Sequence, residues 1–212
     1  MIRLKKLNLL NHKGLQKIND FGNDKGGGAK TLNLESVNGA TLDSDYIFTN
    51  NQGGSWVSYP KYFKTKIPID LRSYDYDTEF KIKFKTTRSQ SGIFCADKSQ
   101  TNWNRFFSGY VSGSNALWIS IGGNYSNPPT LNLNTWYWFK MTHPKRTSDY
   151  KCEYSIDGVN YTLIYNYFEN TFAPKYMWLG AGASTGSEYT FSGSIDFKET
   201  DIIIDGKSVL WV

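Results

Sequence analysis

From Thr31 onward the chain alternates. In "EFKIKFK", Phe80, Ile82 and Phe84 fall on one side and Glu79, Lys81, Lys83 and Lys85 on the other. That two-residue period is the mark of a strand with one buried face. "ALWISIG" repeats it, with Leu117, Ile119 and Ile121 on one face and Trp118 with Ser120 on the opposite one. "DYKCEYSIDGVNYTLIY" reads as a hairpin. Tyr150, Cys152, Tyr154 and Ile156 alternate with Lys151, Glu153 and Ser155, Asp157-Gly158 supplies positive-φ residues for a tight turn, and Tyr161 to Tyr165 returns. "TWYWFKM" and "YMWLGAG" are further strands, less clearly one-sided, and the end adds a strand at 194–197 and a hairpin at Asp205-Gly206. No segment past residue 31 sustains a helical apolar stripe for three turns, and strands recur every 8–15 residues or so, the spacing of a sandwich or jelly roll.

The first thirty residues differ. They hold Arg3, Lys5, Lys6, Lys13, Lys17, Lys25 and Lys30 against Asp20 and Asp24, which accounts for the whole net charge of +5; the other 17 basic and 17 acidic residues cancel. "IRLKKLNLL" suits a short helix or an extended arm, and Gly26-Gly27-Gly28 reads as a hinge. The domain reading is therefore a basic arm, 1–30, and a β body, 31–212. A neutral body excludes a broad phosphate-binding surface, so no nucleic-acid partner is expected. Walker-type glycine spacing is absent. No apolar run reaches membrane-spanning length, and the N-terminus lacks the apolar core of a secretory signal, so neither membrane insertion nor export is expected. Cys95 and Cys152 match no zinc spacing and read as buried thiols.

The second half carries more specific stretches. Asn134-Thr135-Trp136 opens a strand, Tyr154 to Thr162 forms a "YSIDGVNYT" hairpin, Leu179-Gly180 ends a strand, and Phe191 to Gly206 reads "FSGSIDFKETDIIIDG" before a last Trp211. These stretches resemble the concanavalin A-like (laminin-G-like) jelly-roll domains of phage tail and virion proteins, over about residues 40–212. The resemblance implies an all-β, two-sheet antiparallel jelly-roll sandwich preceded by an extended or partly helical arm. It implies that the closing stretch lies beside the first strands, sealing the sandwich and bringing Val212 to the start of the body. It also implies a place on a phage particle, in several copies or as a homo-oligomer, with the arm contacting other virion proteins through Arg3, Lys5, Lys6, Leu9 and Leu10.

The motifs are structural and leave the chemistry to be argued from side chains. Glucanases of this superfamily carry Glu-x-Asp-x-x-Glu on one strand, and glycoside hydrolysis needs two flanking carboxyls. That pattern is absent. The nearest acidic cluster, Asp75, Asp77 and Glu79, reads as a solvated face because lysines follow Glu79 outward. His12 lies in the arm, and His143, before Pro144, reads as a surface loop residue. Laminin-G-like domains often hold calcium, for which Asp97, Asn102, Asn104 and Asp157 offer oxygens, but no loop signature is present and no cofactor is expected.

Sugars need aromatic platforms with amides nearby, and 7 Trp, 15 Tyr and 13 Phe make these abundant. Trp103, Asn104, Arg105 and Tyr110 cluster in "DKSQTNWNRFFSGY", Trp118 lies opposite an apolar face, and Tyr125 sits in a turn. Trp136 and Trp138 read as packing residues. The expectation is a non-enzymatic, virion-associated adhesion module for host-surface or environmental glycans. A structural capsid or tail decoration protein and a divergent glycan hydrolase are the alternatives.

Overall fold

The computed structural model describes residues 31–54, 59–71, 75–96, 107–121, 124–125, 129–147, 149–168, 176–181 and 190–212. Every regular element among them is a strand. In chain order these are β1 (Leu34–Val37), β2 (Ile47–Gly54), β3 (Tyr62–Thr65), β4 (Thr78–Thr86) and β5 (Ser91–Ala96). Then come β6 (Phe107–Val111), β7 (Leu117–Ile121), β8 (Asn124–Tyr125), β9 (Tyr137–His143) and β10 (Asp149–Ser155). The last four are β11 (Thr162–Phe168), β12 (Met177–Leu179), β13 (Thr190–Ile204) and β14 (Lys207–Ser208). The first sheet runs β1-β3-β12-β5-β6-β7-β8 and the second β11-β10-β9-β4-β13, with β2 and β14 both on the far side of β13. All pairings are antiparallel. This is the expected two-sheet sandwich, contained in the unit Thr31–Val212.

The alternation decides which residues meet between the sheets. Phe80, Ile82 and Phe84 of β4 are fully buried, as are Leu117 and Ile119 of β7. Rings join the layers: Phe80 of the second sheet meets Phe94 of the first edge-on at 4.9 Å, and Phe48 meets Phe63 at 5.3 Å. Such contacts add to area burial because ring edges and faces carry opposite partial charge.

The closing stretch behaves as expected, with one change. It is a single fifteen-residue strand, β13, and not a strand at 194–197 followed by a separate hairpin. A register shift between Asp196 and Asp201 lets its first part pair with β2 and its second with β14, both parts keeping β4 on the other side. Asp205 and Gly206, at φ 47° and 74°, form the two-residue turn into β14. Val212 then returns to the start of the body: Thr31 N–H donates to Val212 O at 2.7 Å, and Val212 N–H to Thr31 O at 3.0 Å.

Three local expectations are corrected. His143 is not a surface loop residue. It ends β9 in the inward phase of Tyr137, Phe139 and Met141, is 2% exposed, and stacks on Tyr150 at 4.7 Å. Residues 156–161 form a six-residue loop instead of a tight two-residue turn, and only Gly158 of the pair has positive φ. Ile156, assigned to the inward face, is exposed because β10 ends at Ser155.

Candidate functional site

Each sheet turns one face away from the core, and the two faces differ in chemistry. On the second sheet the outward residues of β4, β9, β10 and β13 satisfy one another. Lys83 Nζ lies 3.0 Å from Asp196 and 2.8 Å from Glu199. Trp138 Nε1–H donates to the other oxygen of Glu199 at 2.7 Å. Burial pushes the Lys83 ammonium down, but its hydrogen bonds to Glu199 and Asp196 more than offset this and hold it above its ordinary value. Glu199 is held below the usual carboxylate range, chiefly by Lys83. Trp136 and Trp138 are half-buried and outward, with Lys83 over both rings and Lys85 over that of Trp136. They are sheet-packed, as expected, although they are not core. Farther along, Glu153 is clamped by Lys151 at 2.7 Å and Lys140 at 3.4 Å.

Two members of the acidic cluster border a cleft. Asp77 and Glu79 line a cleft of about 280 Å³ with Thr78, Thr142, His143, Pro144, Ile203 and Gly206. Asp77 accepts the Lys145 backbone N–H at 2.9 Å. Glu79 belongs to the outward phase of β4, whereas His143 belongs to the inward phase of β9. The histidine and the glutamate therefore leave the sheet in opposite phases, although both reach the cleft at its end. Asp157, an offered calcium ligand, is consumed by its own loop. It accepts from the backbone of Asn160 and Val159 and from the side chains of Asn160 and Ser155, which hold its carboxyl well below the usual range. Asp97, Asn102 and Asn104 lie outside the described residues.

The outward face of the first sheet is built differently. Its register aligns Lys64 of β3, Trp178 of β12, Cys95 of β5 and Ser108 of β6 in one row across four strands. Residues directly opposite in a ladder share a face. A second row pairs Tyr110 of β6 with Trp118 of β7, the expected outward position for Trp118, between buried Leu117 and Ile119. Tyr62 stacks on Trp178 with centroids 4.7 Å apart and planes at 26°. Within this row Cys95 and Ser108 are fully buried, 1% and 0% exposed. Trp178 Nε1 and Ser108 Oγ are both buried and have no hydrogen-bond partner among the described residues. An unpaired buried polar atom is costly, so two on one row call for an explanation. Lys64 is committed elsewhere, 3.4 Å from Glu35 and over the ring of Tyr176.

Of the residues expected to bind sugar, Tyr110 and Trp118 are brought together. Tyr125 is placed by backbone register alone, opposite Ser120, next in the row beyond Ser108. Trp103, Asn104 and Arg105 fall in the stretch joining β5 to β6, outside the described residues, as do Arg3, Lys5, Lys6, Leu9 and Leu10 of the arm. Sequence reasoning missed Tyr62, Trp178 and Ser108. The position of Trp178 between buried Met177 and Leu179 is the signal that marks it as outward.

The architecture is the concanavalin A-like jelly roll. Among solved structures, the chain is similar to the exoplasmic/lumenal domain of VIP36 in its Ca2+/Man-bound form, with a TM-score of 0.53 and 8% identity over 83% of this chain and 89% of that one. It is similar to alginate lyase AlgAT5 of polysaccharide lyase family 7, with a TM-score of 0.50 and 13% identity over 82% and 94% of the two chains. It also matches the CBM40 of Ruminococcus gnavus IT-sialidase bound to alpha2,3 sialyllactose, with a TM-score of 0.48 and 16% identity over 76% and 88%. No family model and no curated protein sequence matches the chain. At such identities the likeness is one of fold, and this fold serves both a mannose-bound domain and a lyase.

Proposed function

We propose that the chain is a glycan-binding module that holds its ligand without cutting it, using the outward face of the first sheet. The observation that carries this reading is the outward Tyr110–Trp118 pair, with Trp178 stacked on Tyr62 farther across the same face: half-buried rings for sugar C–H faces. Mannose in the VIP36 structure gives the class of ligand its precedent on this fold. Against hydrolysis stands Asp77, which is already engaged by the Lys145 backbone N–H.

The finer reading follows from the resemblance to phage virion domains and from the basic arm. The module sits on a phage particle, fastened to other virion proteins by residues 1–30, and presents the first sheet to host-surface or environmental glycans. Weak single sites gain avidity from several copies on one particle.

The test is a glycan array probed with multivalent protein, followed by adsorption to cells. Wild type captures a defined set of glycans, and Trp118→Ala or Tyr110→Ala weakens capture by about tenfold, the scale of one lost aromatic contact. A blank array with folded multivalent protein overturns the reading. Unchanged adsorption with altered particle assembly favours the decoration protein, and release of reducing ends favours the hydrolase.

A further inference from the structure

We propose that two copies of the chain pair edge to edge through β11, so that their second sheets run on as one. The surface is separate from the first sheet, and the inference stands whether or not that face binds glycans. A strand at a sheet edge offers unpaired N–H and C=O groups to any extended chain, and folded proteins blunt such edges with charges, short strands or covering segments. Among the described residues, the other edges of this sandwich are blunted in those ways. β8 and β14 are two residues long. β1 is four residues long and carries Glu35, paired with Lys64 at 3.4 Å. β2 is covered: Asp43 N–H donates to Ile47 O at 3.1 Å, Asn50 Nδ2–H to Lys61 O at 3.2 Å, and Lys61 N–H to Gln52 Oε1 at 2.8 Å. β11 differs. It is seven residues long and, among the described residues, pairs with β10 alone.

The composition of this edge fits a partner identical to itself. From Gly158 to Phe168, "GVNYTLIYNYF", there is no charge and no proline, whereas β10 carries Lys151 and Glu153 and β9 carries Lys140. A two-fold axis sets an antiparallel strand against its own copy, where a charge would face its like; an uncharged strand avoids that penalty. A charged peptide would find no counter-ion on the strand. Ile156, Val159 and Leu163 add apolar surface at the same hairpin, and they are three of the six large apolar side chains that stand exposed among the described residues. A seven-residue strand is about 24 Å long and the edge of a sandwich about 10 Å thick. Even with the three side chains added, that falls short of the roughly 800 Å² per partner of a stable interface. The pairing is therefore weak, dissociating at about 10–100 μM, and becomes substantial where copies are crowded together.

Sedimentation equilibrium of the full chain from about 1 to 500 μM tests this. Wild type passes from monomer to dimer over that range. Leu163→Lys and Val159→Lys each weaken association about tenfold or more, because an edge lysine opposes strand addition. Tyr59→Lys, which changes another exposed side chain in the segment joining β2 to β3, leaves association unchanged. Melting temperatures confirm that the variants fold; should Leu163→Lys fail, Val159→Lys carries the test. A monomer at every concentration overturns the proposal and leaves the edge to a strand of another protein. A dimer that survives both edge lysines, or that Tyr59→Lys weakens as much, overturns β11 as the surface.

Discussion

Replacing Gly193 by alanine tests whether β13 crosses β4 as closely as the closed sandwich requires. Gly193 lies opposite Thr86 in the ladder, at φ 151°, a conformation that residues with a Cβ avoid. A Cβ there would stand 2.0 Å from Lys85 O, 2.9 Å from Thr86 Cα and 3.0 Å from the Lys85 carbonyl carbon. All three are backbone atoms, so no side chain can swing aside. Reaching ordinary contact at about 3.5 Å moves one strand by about 1.5 Å. That displacement breaks neighbouring bonds such as Thr87 N–H to Ser192 O, now 2.9 Å. Two or three lost ladder bonds at about 1 kcal/mol each, with about 1–3 kcal/mol of backbone strain, give a destabilisation of about 3–6 kcal/mol. Gly206→Ala is the matched control, since Gly206 also has positive φ, 74°, but no atom within 4 Å of its built Cβ. It costs about 1–2 kcal/mol from conformation alone. In urea, with a slope of about 2 kcal/mol/M, the Gly193 midpoint falls by about 1.5–3 M and the Gly206 midpoint by about 0.5–1 M. A Gly193→Ala shift no larger than that of Gly206→Ala refutes the close crossing.

Two further outcomes follow from the titrating groups. Burial pushes the Glu153 carboxyl up, but Lys151 and Lys140 more than offset this and hold it below its ordinary value of 4.5. A depressed carboxylate contributes stability that is fully present above the unfolded-state value and is lost as pH falls through the folded one. Melting temperature should therefore decline below about pH 4.5, and Glu153→Gln should flatten that part of the profile. An unchanged acid limb in the variant shows that the clamp contributes nothing. The Cys152 thiol is pushed up by burial, with Glu153 adding to the effect, so it is protonated throughout the working range. It should resist a thiol-specific reagent in the native protein and react on unfolding; rapid native labelling at Cys152 would contradict its placement.

The sandwich was legible because its central strands alternate without ambiguity. From Glu79 to Lys85 of β4 each outward residue is charged and each inward residue is apolar, so the period survives any weighting of side chains. β9 is harder: Trp138 lies outward between Tyr137 and Phe139, and three consecutive rings mask a period that the burial shows to be intact. The same masking hides Trp178 between Met177 and Leu179. His143 could have been placed from the phase of β9, since it continues Tyr137, Phe139 and Met141, but Pro144 beside it suggested a loop. β13 looked like two pieces because the bulge between Asp196 and Asp201 resets its phase. The site was only partly legible for a different reason. Its row draws on β3, β12, β5 and β6, which are neighbours in the sheet and distant in the chain, and periodicity says which way a side chain points but not which strand lies beside it.

That difference also bears on which face binds. An aromatic face with charges invites a ligand only if its polar groups gain by the exchange. On the second sheet they would lose. Lys83 already has two carboxylates, Glu199 already accepts the Trp138 N–H, and Glu153 already has two lysines, so a sugar hydroxyl arriving there would replace better, charge-assisted bonds. The first sheet instead turns outward the Tyr110–Trp118 pair and the Tyr62–Trp178 stack, and the apolar face of a sugar gains by covering rings whatever the polar atoms around them do, so the proposed ligand is placed there.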